Sequence, residues 1–97
     1  MGMKIMAMEK KRPGKTPEDF APYLKEEARK VWELHQSGVI REMYLRADRN
    51  EAVLVLECPD VKEATKVLDS LPLVKRGLID FDIVPLRPYP GFSRLFV

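Results

Sequence analysis

"VIREMYLRADRNEAVLVLEC", residues 39–58, decides the fold. Two runs rich in Val, Ile, Leu and Met, at 39–47 and 52–58, flank the polar turn 48–51, so the segment reads as a β-hairpin. Helical patterns lie on both sides of it. Upstream, Thr16 offers an N-cap, Pro17 the favoured first helical position, and Glu18 and Asp19 complement the positive end of the helix dipole. That helix runs to about Ser37, with Gly38 as its natural C′ residue. Downstream, Pro59-Asp60 opens a second helix, in which Asp60 and Glu63 resemble a capping box. Val61, Ala64, Val67, Leu68 and Leu71 form its apolar stripe, and Pro72 ends or kinks it. "MKIMAM" (3–8) predicts a first strand, "EKKRPGKTP" a solvated loop, and "LIDFDIVPL" (78–86), after Gly77, a last strand.

The order β-α-β-β-α-β is the ferredoxin-like α+β arrangement, a four-stranded antiparallel sheet with two helices on one face. Residues 3–86 make this domain. The tail 87–97, "RPYPGFSRLFV", is expected to be extended and docked on a partner subunit. A sheet with one wet face alternates apolar with polar residues. These strands do not: the third carries Ala52, Leu54, Leu56 and Cys58 on one side and Val53, Val55 and Glu57 on the other. The simplest cover for the second face is the same sheet from another copy, which predicts a two-fold, face-to-face homodimer.

Ninety-seven residues fit one domain, and a net charge of +2 with acids and bases interleaved is too balanced for a nucleic-acid footprint. Aromatic residues of the RNP type are missing from the central strands, so no nucleic-acid partner is expected. No apolar run approaches the ~20 residues of a membrane span, and no signal-peptide pattern is visible. The single cysteine, Cys58, excludes an intrachain disulfide and fits a reducing, cytoplasmic compartment. No His/Cys/Asp/Glu set has metal-ligand spacing, and "RPGK" (12–15) is no phosphate loop.

One residue of the first helix does not fit. Phe20, Leu24, Val31 and Leu34 fall on one stripe at 100° per residue, with Ala28 at its edge, and Glu27 projects to the middle of it. Such a carboxylate is either half of a buried pair or a general base, since partial desolvation raises its pKa toward neutrality. Glu27 lies about 16 Å of helix before Gly38, and the returning second strand reaches that level near Met43 or Tyr44. Tyr44 is therefore either a hydrogen-bond donor to Glu27 or substrate, or an interface residue. His35 projects to the apolar side about 12 Å from Glu27, as a packing residue, a partner of the helix dipole or a substrate contact. Arg41 either clamps a substrate carboxylate through its planar fork or pairs with Glu57 or Asp80 between subunits. Asp80 and Asp82 share one face of the last strand, read as a sheet edge, where acids keep an edge soluble or bind Arg across an interface. Cys58 lacks an activating base and reads as packing.

"LKEEARKVWELHQSGVIREMYLR", "ECPDVKEATKVLDSLPL" and "DFDIVPLRPYP", in that order and spacing, resemble the muconolactone isomerase family from about Met3 to Pro90. The resemblance implies a dimeric α/β barrel, often assembled further, that works without cofactor or metal. It implies proton movement within a five-membered unsaturated lactone from aromatic catabolism. On it, Glu27 matches an acid of the family's first helix and Arg41 its arginine at the start of strand two. Tyr44 stands where the isomerase has another aromatic, Arg46 is one place from the family's second arginine, and Glu42 replaces a histidine. The expected function is a cofactor-independent isomerase for a small anionic lactone or unsaturated acid, with Glu27 and Tyr44 catalytic and Arg41 and His35 binding. The alternative is a non-catalytic small-molecule-binding or assembly module on the same fold.

Overall fold

The computed structural model describes residues 2–97. Strand β1 (Met3–Lys11) leads into a short helix α1 (Pro17–Phe20), a 3-10 turn (Ala21–Tyr23) and helix α2 (Leu24–Gln36). Strands β2 (Ile40–Leu45) and β3 (Ala52–Cys58) form the expected hairpin. Helix α3 (Val61–Asp69), the four-residue helix α4 (Pro72–Lys75) and strand β4 (Ile79–Pro85) complete the domain. The sheet order is β2-β3-β1-β4, every neighbour antiparallel, so β2 and β4 are its edges. This is the ferredoxin-like order expected from the sequence.

Three local readings need correction. The first helix is broken, because Pro22 lacks an N–H and its ring displaces the chain from α-helical geometry. The inward face of α2 consequently runs through Tyr23, Glu27, Val31 and Leu34, while Leu24 is 52% exposed. Strand β1 does not stop at Met8 but continues to Lys11, with Glu9, Lys10 and Lys11 opposite Phe81, Asp80 and Ile79. Its polar end is held by charge: Lys10 meets Asp82 at 2.8 Å, and Arg12 grips Asp80 with two hydrogen bonds of 3.0 and 3.1 Å. The two acids of the edge strand thus pair within their own chain.

The third correction concerns strand β2. A bulge between Ile40 and Glu42 inserts one residue, so Met43 and Leu45 lie opposite Leu54 and Ala52 on the helix side. Glu42 and Tyr44 lie opposite Val55 and Val53, on the other face. A one-residue slip turns every later side chain over.

Between helices and sheet, Ile5, Ala7, Ile40, Leu54, Leu56, Cys58, Ala64, Leu68 and Leu71 form the main core. Phe20, Leu73, Leu78 and Ile79 make a second cluster under α1 and α4. Asp60 caps α3 by accepting the Glu63 N–H at 2.8 Å, and Asp19 accepts the Thr16 N–H at 2.8 Å at the start of α1. Gly38 ends α2 with φ of 85°, a left-handed value that a side chain would strain.

Among the described residues nothing covers the opposite sheet face. Met6, Met8, Val53 and Val55 lie half-buried at its centre, and Lys4, Lys10, Glu42, Glu57 and Asp82 surround them. The tail is not uniformly extended: Gly91–Phe96 coils into a 3-10 turn. It leaves its apolar groups in solvent, with Phe92 68% and Phe96 86% exposed. The radius of gyration is 15.5 Å and the longest dimension 58 Å. A compact domain of this length has a radius near 12–13 Å, so the chain is stretched well beyond globular proportions.

Candidate active site

A cavity of about 390 Å³ opens between the helices and the sheet, at the end where α1 meets the β2–β3 turn. Its apolar wall is Phe20, Leu24, Leu45 and Leu73, and its polar groups include Glu9, Lys11 and Lys15. Local sequence explains the mixture. Glu9 and Lys11 follow Ile5 and Ala7 on the inward face of β1, past the point where pairing with β3 stops at Met8. Two side chains replace the missing ladder: Glu9 Oε1 accepts the Ala52 N–H at 3.1 Å, and Glu51 Oε2 accepts the Lys11 N–H at 3.0 Å.

Glu27 does not line the cavity itself and stands behind the lining residue Leu73. Its Oε1 accepts the N–H of Leu73 at 3.0 Å, and Leu24 lies one helical turn before it. Leu71 is the N-cap of α4, makes no side-chain cap bond, and is followed by Pro72, which has no N–H. Glu27 therefore caps α4 from another helix, a contact that contributes about 1 kcal/mol in ordinary caps. That accounts for an acid in the apolar stripe and for its pairing with "LPL" (71–73). No ion pair reaches Glu27 among the described residues, so the buried-pair reading is met by a backbone N–H and not by an arginine. Its second oxygen makes no hydrogen bond and is not sealed from solvent.

Both carboxyls titrate high. Burial pushes Glu27 up, the Leu73 N–H opposes this, and the Glu9 charge adds to it. Burial likewise raises Glu9, against the Ala52 N–H and the Lys11 ammonium, with Glu51 raising it further. A carboxyl raised in the folded state contributes stability that is complete below the unfolded-chain pKa and is lost as pH rises through the folded value. Glu27→Gln keeps an oxygen for Leu73 but cannot ionise. Its melting temperature relative to wild type is therefore expected to rise between pH 4 and pH 8, measured by calorimetry. A difference that stays flat with pH would show that Glu27 titrates as it does in the unfolded chain.

The other residues singled out from the sequence lie elsewhere. Tyr44 is 58% exposed on the far face of the sheet, donating its hydroxyl to Glu42 at 2.6 Å, because the bulge turned it away from Glu27. Leu45 takes the place beside the cavity. Arg41 pairs with Glu57 at 3.1 Å inside one chain, at the opposite end of β2. His35 also lies at that end, with Nδ1 3.0 Å from the Ile40 carbonyl, to which the ring N–H donates, tying α2 to β2. Sequence reasoning missed Glu9, Lys11 and Lys15, since 9–17 read as loop. The retrievable signal was charge: bases at 10 and 12 match acids at 80 and 82, a two-residue spacing that continues the strand pairing.

Among the described residues no group of three or more His, Cys, Asp or Glu is placed to hold a metal ion, and no helix is long and apolar enough to cross a membrane. The model of the muconolactone delta-isomerase family matches residues 4–91. The crystal structure of muconolactone isomerase superposes with a TM-score of 0.75 at 21% identity, covering 92% of this chain and 93% of that one. A 5-chloro-2-hydroxyhydroquinone dehydrochlorinase from Burkholderia phenoliruptrix AC1100, solved with 2,5-dihydroxybenzoquinone, superposes with a TM-score of 0.61 at 19% identity, covering 94% and 98%. A search of curated proteins finds no match. At these identities the two structures establish the fold.

Proposed function

The chain belongs to the muconolactone delta-isomerase family, and on that footing we propose that it moves a proton within a small anionic lactone or unsaturated acid. The observation that supports this reading best is the cavity set against a desolvated, singly hydrogen-bonded carboxylate. Glu27 carries the proton. Its raised pKa makes it a stronger base than a surface glutamate. The ammonium groups of Lys11 and Lys15 hold the substrate carboxylate and offset the negative charge that develops on the lactone oxygen in the transition state. Phe20, Leu24, Leu45 and Leu73 give the substrate ring an apolar wall. This work falls to the two lysines and not to Arg41, whose guanidinium is engaged with Glu57.

The working unit in this reading is a homodimer closed face to face over Met6, Met8, Val53 and Val55, with the tail laid across the neighbouring subunit. The buried free thiol of Cys58 suits a reducing, cytoplasmic setting. The second reading, a binding or assembly module without catalysis, draws on the α4 cap, which alone gives Glu27 a structural reason to exist.

Isomerisation of muconolactone, followed by absorbance, separates the two. The free acid is expected to turn over, and its methyl ester at least about tenfold more slowly, for want of a partner for the lysines. Binding of the acid without turnover favours the module.

A further inference from the structure

Resting on the reaction proposed above, we infer that Glu9 is the second acid–base group of the cavity. One carboxylate of the Glu9–Glu27 pair removes the substrate proton, and the other, protonated, supplies a proton at the far end of the shifting double bond.

The placement of the two groups carries this. Glu9 lines the cavity from the sheet, on β1; Glu27, on α2, lies behind the lining residue Leu73, whose N–H it accepts. Each is aimed in the same manner: one oxygen accepts a single backbone N–H, from Ala52 at 3.1 Å or Leu73 at 3.0 Å. Neither carboxylate joins an ion pair among the described residues, and neither leaves a sealed, unpartnered oxygen. Glu9 keeps an oxygen uncommitted at the cavity, and Glu27 keeps one behind the Leu73 wall.

The surrounding charges set which states are populated. Lys11 on β1 and Lys15 in the following loop face the cavity, and Glu51 in the hairpin turn lies near Glu9 while sharing the guanidinium groups of Arg46 and Arg49 at 3.9 Å. Burial disfavours ionisation of both carboxyls, and the Glu9 charge adds to this at Glu27. One ionised and one protonated carboxyl are the two states that a double-bond shift requires.

The step balances without a further reactant. The ionised carboxylate takes a C–H proton, and the C–H electron pair moves into conjugation with the lactone carbonyl, giving a dienolate. The protonated carboxyl donates its proton to the other terminus of that system as the dienolate collapses. The substrate keeps its formula, the two carboxyls exchange protonation states, and a proton passing between them, directly or through water, resets the pair.

The full-length chain tests this in two measurements. The first is a carboxyl 13C NMR titration of wild type and Glu9→Gln without substrate; the midpoint of Glu27 is expected to fall in the variant. The second is the pH profile of muconolactone turnover. Glu9→Gln, which retains an acceptor for Ala52, is expected to lose about 10²-fold in kcat. Its KM should change little and one limb of the kcat/KM profile should disappear, while Glu9→Asp recovers part of the rate. A Glu9→Gln enzyme within threefold of wild type, with its pH profile and the Glu27 midpoint unmoved, overturns the proposal and leaves the reaction standing. A wild type that turns over no lactone while the Glu27 midpoint still moves overturns the reaction and leaves the coupled pair standing.

Discussion

Glu27→Gln is expected to lower kcat for an anionic lactone by about 10²–10⁴-fold, with KM changed little and the fold intact. Glutamine is isosteric and keeps a carbonyl oxygen for the Leu73 N–H, so the cap on α4 and the packing of Val31 and Leu34 survive. What disappears is the ability to exchange a proton with the substrate. The magnitude separates a catalytic acid from a structural one. If Glu27 were only the cap of α4, glutamine would leave turnover within a few-fold of wild type. Glu27→Ala complements the test: it removes the cap as well and is expected to lower stability by a further ~1 kcal/mol.

Val55→Glu is expected to convert a dimer of the 11.2 kDa chain into a monomer, as measured by light scattering on a sizing column. Val55 lies opposite Met6 on β1 and Glu42 on β2, near the middle of the uncovered face. In a two-fold assembly one substitution places a carboxylate on each side of the same closed interface. Burying such unpaired charges costs several kcal/mol each, more than an interface of ordinary stability can spare. The helix-side core, which holds Leu54 and Leu56, is untouched, so the monomer is expected to stay folded. A wild type that is monomeric at working concentrations, or a variant that stays dimeric, contradicts the face-to-face arrangement.

The architecture was legible because its punctuation is local. Pro17, Gly38, the polar turn 48–51, the Asp60 cap and Pro72 each act within a few residues, and together they impose β-α-β-β-α-β. The carboxylate in the wrong place on the first helix was legible too, since helical periodicity alone exposes Glu27. Its neighbours were not. Tyr44 was set level with Glu27 by the rise of helix and strand, which fixes height and not face, and a single bulged residue turned the remainder of the strand over. For Arg41 the pair with Glu57 was one of the alternatives, expected between subunits and found inside one chain, while the bond of His35 to the Ile40 carbonyl is a contact that no periodicity reports. Glu9 and Lys11 were hidden for a third reason. A run of charges next to Pro and Gly reads as loop, and only the acids of β4 across the sheet make it strand. The legible part of the site is thus the part fixed by one helix. The rest is fixed by the sheet, where register is non-local.

The most direct test of the account is proton NMR of muconolactone incubated with the wild-type chain in D2O. The account predicts an isomerised product with solvent deuterium at the carbon that gained the proton, delivered by a carboxyl that exchanges with solvent between turnovers. It also predicts the loss of both product and label in Glu27→Gln. Lactone recovered unchanged and unlabelled from the wild type contradicts it.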